Sequence, residues 1–367
     1  MLRIIQTEII RDGAKFNENG VLLQYVGGLA ERYVTPEGTT FIAPGAFKGC
    51  HIKELVIRGA WKIGQYACAD AHIEKITISR SVEKIGDHAF ANIPELNEVS
   101  YEKNSQLKQV GPYCFQNDTS LKEHDIPSSV LVIDDYAFAQ SGLESIKLPE
   151  NLKILGEGAF MNCLYLKSIE IPDKIRDIKP KLCFGCTSLS SVKFPKKLTS
   201  IGKYAFYECK SLRGTIDHEC KSLNLSDNDN LYLIESDSFA HCNSLKEVKF
   251  PQQLQEGFAY LQPYSFFDCP NLELMKLPKN GVMKAQKAIS KCPLIIMEIY
   301  EAEICSEDLK GRNELMQDSP LFVRLASHLN AIRKAVFPRK KSRKNSPVTI
   351  PSPNYGLDEI NTPTFAI

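Results

Sequence analysis

The residues in this chain that could do chemistry are twelve cysteines, seven histidines and two short polar clusters. Twelve thiols can build a disulfide framework or a metal cluster, so their positions decide what they are for. Cys183-Phe-Gly-Cys186 matches half of a zinc motif, but no second pair lies at zinc-site spacing. The histidines at 51, 72, 88, 124, 218, 241 and 328 show no His-Glu-x-x-His or other paired-ligand spacing. His218-Glu219-Cys220 groups ligand-type residues and reads as an exposed polar loop, with metal binding as the sharper alternative. Asp227-Asn-Asp229-Asn230 lacks the glycine and terminal glutamate of a calcium loop and reads as a solvated turn. No phosphate-binding glycine loop, nucleophile elbow or dinucleotide fingerprint is present. The expectation is therefore a non-enzymatic protein with no cofactor, no metal and no small-molecule substrate. An enzyme built around His218 is the residual alternative.

What positions these residues is a repeat. The motif Ile-Gly-x-x-Ala-Phe-x-x-Cys-x-x-Leu-x-x-Ile-x-Ile-Pro recurs, with clear copies starting at Ile85, Ile133, Leu155 and Ile201. Its phenylalanine register runs Phe47, Cys68, Phe90, Phe115, Phe138, Phe160, Cys183, Phe206, Phe239, Phe266 and Ile289, eleven units at intervals centred near 23. That period suits a leucine-rich repeat and is too short for the common paired-helix repeats. Stretches such as Leu166-Lys-Ser-Ile169-Glu-Ile171-Pro172 alternate apolar and polar residues, the pattern of a half-buried strand. Proline then ends the strand. Glycines such as Gly86, Gly156 and Gly202 read as permitting a tight bend into Ala-Phe, taken as one short helical turn with both side chains inward.

The predicted fold class is thus an α/β leucine-rich-repeat solenoid with a concave parallel β-sheet, short helical turns on the convex side, and a C-terminal helix. The predicted boundaries are a lead-in over 1–33, repeats over 34–300, a helical cap over 301–338 and a basic tail over 339–367. In the cap, Leu321, Leu325, Leu329, Ile332 and Val336 recur at helical spacing between Pro320 and Pro338.

The Ile-Gly-x-x-Ala-Phe-x-x-Cys-x-x-Leu pattern resembles the BspA-like leucine-rich-repeat family over about residues 21–299. The segment Gly20-Val21-Leu22-Leu23-Gln24-Tyr25 with Val34-Thr35-Pro36-Glu37-Gly38 is similar to the lead-in that commonly precedes such repeats. The resemblance implies a curved solenoid with a strand-lined concave face, and a surface antigen or adhesin.

The register also explains the cysteines. Cys50, Cys163, Cys186, Cys209, Cys242, Cys269 and Cys292 share one position, Cys114 replaces the Ala, and Cys68 and Cys183 replace the Phe. Ten of twelve are therefore expected inside, as free thiols serving as small apolar residues, which fits a reducing, cytoplasmic location. Consistent with that expectation, the first residues carry Glu8 and Asp12 and lack the apolar run of a secretory signal. A cell-surface or secreted location by a non-classical route is the alternative. With 45 basic and 44 acidic residues, no global field steers the molecule to nucleic acid or membrane.

Function is therefore expected in binding a protein partner. On the strand, the residue after the central apolar position should face outward: Val56, Thr77, Ser100, Asp125, Lys147, Glu170, Lys193, Ile216, Lys249, Lys276 and Glu298. Lys147, Glu170, Lys193, Lys249 and Lys276 are the candidate contacts, lysines gathering in later repeats. A 33-residue interval between Phe206 and Phe239 predicts an inserted loop from Gly214 to Asn230, with His218, Asp227 and Asp229 as its candidate contacts. Arg339, Lys340, Lys341, Arg343 and Lys344 would attract nucleic acid or an anionic membrane, act as a nuclear-import signal, or form a solvated tail.

Overall fold

The computed structural model describes residues 9–216, 221–251, 260–277 and 287–299, all within one compact unit, Met1–Ala326. The chain winds as a solenoid of parallel strands, and each turn contributes to two columns. The long column takes strands of up to six residues, from Ala30–Val34, Ile52–Ile57, Lys75–Ile78 and Glu98–Tyr101 onward to Ile296–Ile299. The short column takes two-residue strands such as Lys62–Ile63, Lys84–Ile85, Gln109–Val110, Val132–Ile133 and Ile154–Leu155. Equivalent residues pair in register, for example Ile76 with Val99 and Ile63 with Ile85. At the N-terminal end the short column is closed by antiparallel strands, β1 (Ile9–Arg11) on β2 (Ala14–Phe16) on β3 (Val21–Tyr25). β3 then pairs parallel with Phe41–Ile42 and starts the stack.

The interior holds one continuous column of side chains. Phenylalanine rings stack from repeat to repeat, Phe90 to Phe115 at 5.4 Å, Phe115 to Phe138 at 5.2 Å and Phe138 to Phe160 at 5.7 Å, all fully buried. Phe206, Phe239 and Phe266 continue it at 5.2 and 5.1 Å. Each proline after a long strand opens a turn: the carbonyls of Pro127, Pro149, Pro172 and Pro195 accept from the amide three residues on. The buried residue of that turn, such as Val130 or Leu152, is thereby aimed inward.

The expected short helical turns are not there. Apart from helical backbone at 287–288 and one 3-10 residue at Ile216, the described residues contain no helix, and Ala-Phe lies in an irregular turn. The reason is where the amides go. The amides of His88, Phe90 and Asn92 donate to Pro112, Cys114 and Gln116 of the next repeat, while Ala89 and Ala91 donate three residues back. Every second amide is thus committed between repeats, leaving no run of bonds to the fourth residue back. This geometry puts two left-handed residues in each turn, His88 (φ 51°) and Asn92 (φ 59°) in that repeat.

The glycine reading is also corrected. Gly86 and Gly156 do not have positive φ; a Cβ there would lie 2.8 and 2.4 Å from backbone of the preceding repeat. They are needed for close approach of neighbouring turns. The expected C-terminal helix, the 301–338 cap and the tail lie outside the described residues.

Candidate interaction faces

In the long column, most strands bury the central residue and turn the residue after it outward, because successive side chains alternate across a strand. Ile76, Val99, Ile169, Val192 and Val248 are buried, and Thr77, Ser100, Glu170, Lys193 and Lys249 flank them at least partly exposed. Val56, the first of the expected outward positions, is instead buried, at 4% exposure.

The structure gives the candidate lysines partners that were not anticipated. Lys193 reaches Glu170 at 3.5 Å, Lys249 reaches Glu247 at 3.6 Å, and Lys276 lies between Glu298 at 3.1 Å and Glu247 at 4.0 Å. The same face carries Arg32 with Glu54 and Lys75 with Glu98. Just before the strands, Glu144 bridges Lys122 and Lys167. The face is therefore a row of alternating charge, not a basic surface. Lys147 is exposed and makes no ion pair among the described residues. The period could have revealed these glutamates, since each sits one repeat away from its lysine or two residues away on the same strand.

The expected insertion, Gly214 to Asn230, begins within a strand of the long column. Gly214–Thr215 pairs back with Ser191–Lys193, and Leu223–Asn224 pairs forward with Glu247–Lys249. One long strand is thus split into two, held together by the Thr215 amide donating to the Ser222 carbonyl at 2.9 Å. The extra residues lie between the halves. Asp227 and Asp229 instead follow Leu225 in the ordinary turn, anchored by the buried Asn228 amide, which donates to the Pro195 carbonyl at 2.8 Å. His218 lies outside the described residues, as do Cys220, Cys305 and the basic run 339–344.

The described cysteines are free, nine of them buried. Those in the shared position donate S–H to the carbonyl at the preceding phenylalanine position: Cys163 to Phe138, Cys186 to Phe160, Cys209 to Cys183 and Cys269 to Phe239, at 3.0–3.2 Å. Burial pushes the thiols of Cys163, Cys186 and Cys209 well above their ordinary range, so they are poor nucleophiles. Among the described residues there is no group of three metal-ligating side chains, and no helix long and apolar enough to cross a membrane.

One exposed feature escaped the sequence reading. The first left-handed residue of each turn is often aromatic: Tyr66, His88, Tyr113, Tyr136, Tyr204 and Tyr264, with φ between 51° and 66°. The signal was available as Tyr or His two residues before the phenylalanine register. It was masked because bulky residues are not expected at positive φ.

The profile of the BspA-type leucine-rich repeat region, six copies long, matches residues 29–141, 108–224 and 216–304. The chain belongs to the BspA-type leucine-rich repeat family. Solved structures similar to this chain include a leucine-rich repeat protein of T. pallidum, 26% identical, with 52% of this chain and 81% of that chain covered and a TM-score of 0.42. A leucine-rich repeat protein of Bacteroides ovatus is 24% identical over 71% of this chain and 76% of that one, with a TM-score of 0.43. The pneumococcal vaccine antigen PcpA is 18% identical over 80% and 88%, with a TM-score of 0.48. No curated protein matches significantly. Within the BspA-type framework the cysteines, phenylalanines and prolines are scaffold, and the outward side chains of the long column are what the scaffold displays.

Proposed function

We propose that this BspA-type repeat protein is a non-catalytic scaffold that binds a protein partner through the outward face of its long column. The observation that carries the reading is the face itself. Lys193 beside Glu170, and Lys276 between Glu247 and Glu298, are charged groups held in register on a rigid sheet. Such exposed pairs contribute little to stability, roughly 0–1 kcal/mol each, so a fold has small need of them. Fixed alternating charge instead selects a partner of complementary pattern and speeds its encounter.

The test is capture from native cell extract on the immobilised full chain, followed by Lys147→Glu, Lys249→Glu and Lys276→Glu. Specific capture by the wild type that falls at least tenfold in the variants supports the reading. Capture unchanged by all three sinks it.

Cytoplasmic and cell-surface locations are both compatible with this role. Free thiols had favoured a reducing compartment, but thiols this deeply buried are shielded from oxidants anywhere, so the surface location that the family resemblance implies stands level with it. Fractionation of the native cell distinguishes the two.

A further inference from the structure

The turn ridge changes character along the solenoid. In the early repeats Tyr66, His88, Tyr113 and Tyr136 stack at 4.7, 4.6 and 5.0 Å, with 24°, 14° and 8° between planes. Their faces are covered by one another. In the later repeats the same position runs Tyr204, Asp237, Tyr264, so a carboxylate stands where the ladder would place a ring.

Around Asp237 the rings pack edge to face. Tyr204 meets Tyr207 at 5.4 Å and 84°, Tyr207 meets His241 at 5.1 Å and 80°, and His241 meets Phe267 at 5.5 Å and 88°. Tyr264 meets Phe267 at 5.6 Å and 88°, and is 40% exposed. Each edge-to-face contact covers a face of only one of its two rings, whereas parallel stacking covers a face of both. Two such faces already attract ammonium groups of the chain itself, Lys203 at 4.8 Å from the Tyr204 centroid and Lys291 at 5.0 Å from that of Phe267.

Carboxylates stand beside these rings. Besides burial, the charges of Glu208, Asp237 and Asp268 raise the Tyr207 phenol, which places all three carboxylates beside this cluster. Glu208 is paired with Lys210 and Asp268 with His241. The side chain of Asp237 has no hydrogen bond or salt bridge among the described residues, although Lys203 and His241 act on it through space. Half-burial raises its carboxyl above the usual range, against the opposing effect of Lys203 and His241.

We propose that this aromatic and acidic patch binds a guanidinium group, an arginine side chain of a partner polypeptide stacked on Tyr264 and paired with Asp237. Arginine suits it better than lysine because its planar, weakly hydrated cation can lie on a ring while donating two hydrogen bonds to a carboxylate. The patch belongs to the turns, not to the long strands, so it is independent of the face assigned above.

The test uses the full chain and a fluorescein-labelled peptide, acetyl-Gly-Arg-Gly-Arg-Gly, followed by anisotropy at low ionic strength. The control peptide carries citrulline for arginine, which keeps shape and removes charge. Saturable binding of the arginine peptide is expected, with the citrulline peptide at least tenfold weaker. Asp237→Asn should weaken the arginine peptide about tenfold, and Tyr264→Leu severalfold. Asparagine tolerates the left-handed backbone at position 237 (φ 58°), so that variant keeps the turn, which its melting curve verifies. Asp135→Asn, on the early part of the ridge, should change nothing. No saturable binding, equal binding of the citrulline peptide, or indifference to Asp237→Asn each overturns the proposal. So does an equal loss in Asp135→Asn, which would mark the attraction as diffuse.

Discussion

At the scale of single residues, one repeat buries two titratable side chains where most repeats place apolar residues or cysteine. His124 occupies the central strand position that most repeats give to an aliphatic residue or Met, and it is buried against Tyr101, Phe115 and Phe138. Its Nε2 lies 2.9 Å from the Tyr101 hydroxyl, its Nδ1 has no partner, and burial pushes its pKa down to about 3. The unfolded chain therefore binds a proton near pH 6.5 that the folded chain refuses, and stability falls as pH drops from 6.5 toward 3. By pH 4.5 the loss is about 3 kcal/mol. His124→Ile should remove it, seen as a urea midpoint less steeply dependent on pH between 7 and 4.5. Asp118 stands in the cysteine position and has the opposite sign. One carboxylate oxygen accepts from the Ile93 amide at 2.8 Å, the other is buried without a partner, and burial raises the pKa well above 3.8. Here the folded chain holds a proton that the unfolded chain gives up, so stability is full below about pH 4 and declines as pH rises. Asp118→Asn is expected to stabilise the protein at pH 7 and to matter little at pH 4. Denaturation at the two pH values decides it, and equal effects at both would refute the assignment.

At the scale of the element, the turn is where the sequence misled. Period, strand and core position were all legible, because inward residues recur wherever the backbone must present an apolar side chain. Phe138 and Leu152 could be placed inside from spacing alone. Hydrogen-bond destination leaves no such mark. Two adjacent inward residues, Ala89 and Phe90, fit one turn of helix as well as the irregular turn that is found, and it is the bonds to the next repeat, such as the Phe90 amide to Cys114, that distinguish them. The aromatic ladder tests this account of the turn. Tyr113 has φ 52°, where an L residue costs roughly 1 kcal/mol and glycine costs none. Tyr113→Ala loses the stack and keeps the strain, whereas Tyr113→Gly loses the stack and relieves it. The glycine variant should be the more stable of the two by roughly 0.5–1 kcal/mol in urea unfolding. The reverse order would mean that the positive φ is unstrained. Phe138→Ala, in the core column, should cost roughly 3–5 kcal/mol by the same measurement.

For the whole molecule, the candidate site was less legible than the fold. Lys147 and Lys193 could be assigned to an outward column from strand alternation, but the compensating Glu170, Glu247 and Glu298 required pairing one repeat with the next. The split strand at Thr215 and Leu223 was visible only as excess length, since nothing in the residues says that both halves stay in the column. Solenoids conduct stability between neighbours, and a repeat keeps its place through the repeats on either side. The N-terminal hairpin bears on how such a molecule ends. β2 runs antiparallel to both β1 and β3, so β1 again follows the direction of the column, and among the described residues the sheet ends on this exposed three-residue strand, a short ladder for another molecule to extend. Short edge strands of this kind are expected to limit growth of the stack from that end. Deleting β1 and β2 would leave the five-residue β3 as the edge, and light scattering should then report chains joining end to end as concentration rises, while the undeleted chain stays dispersed.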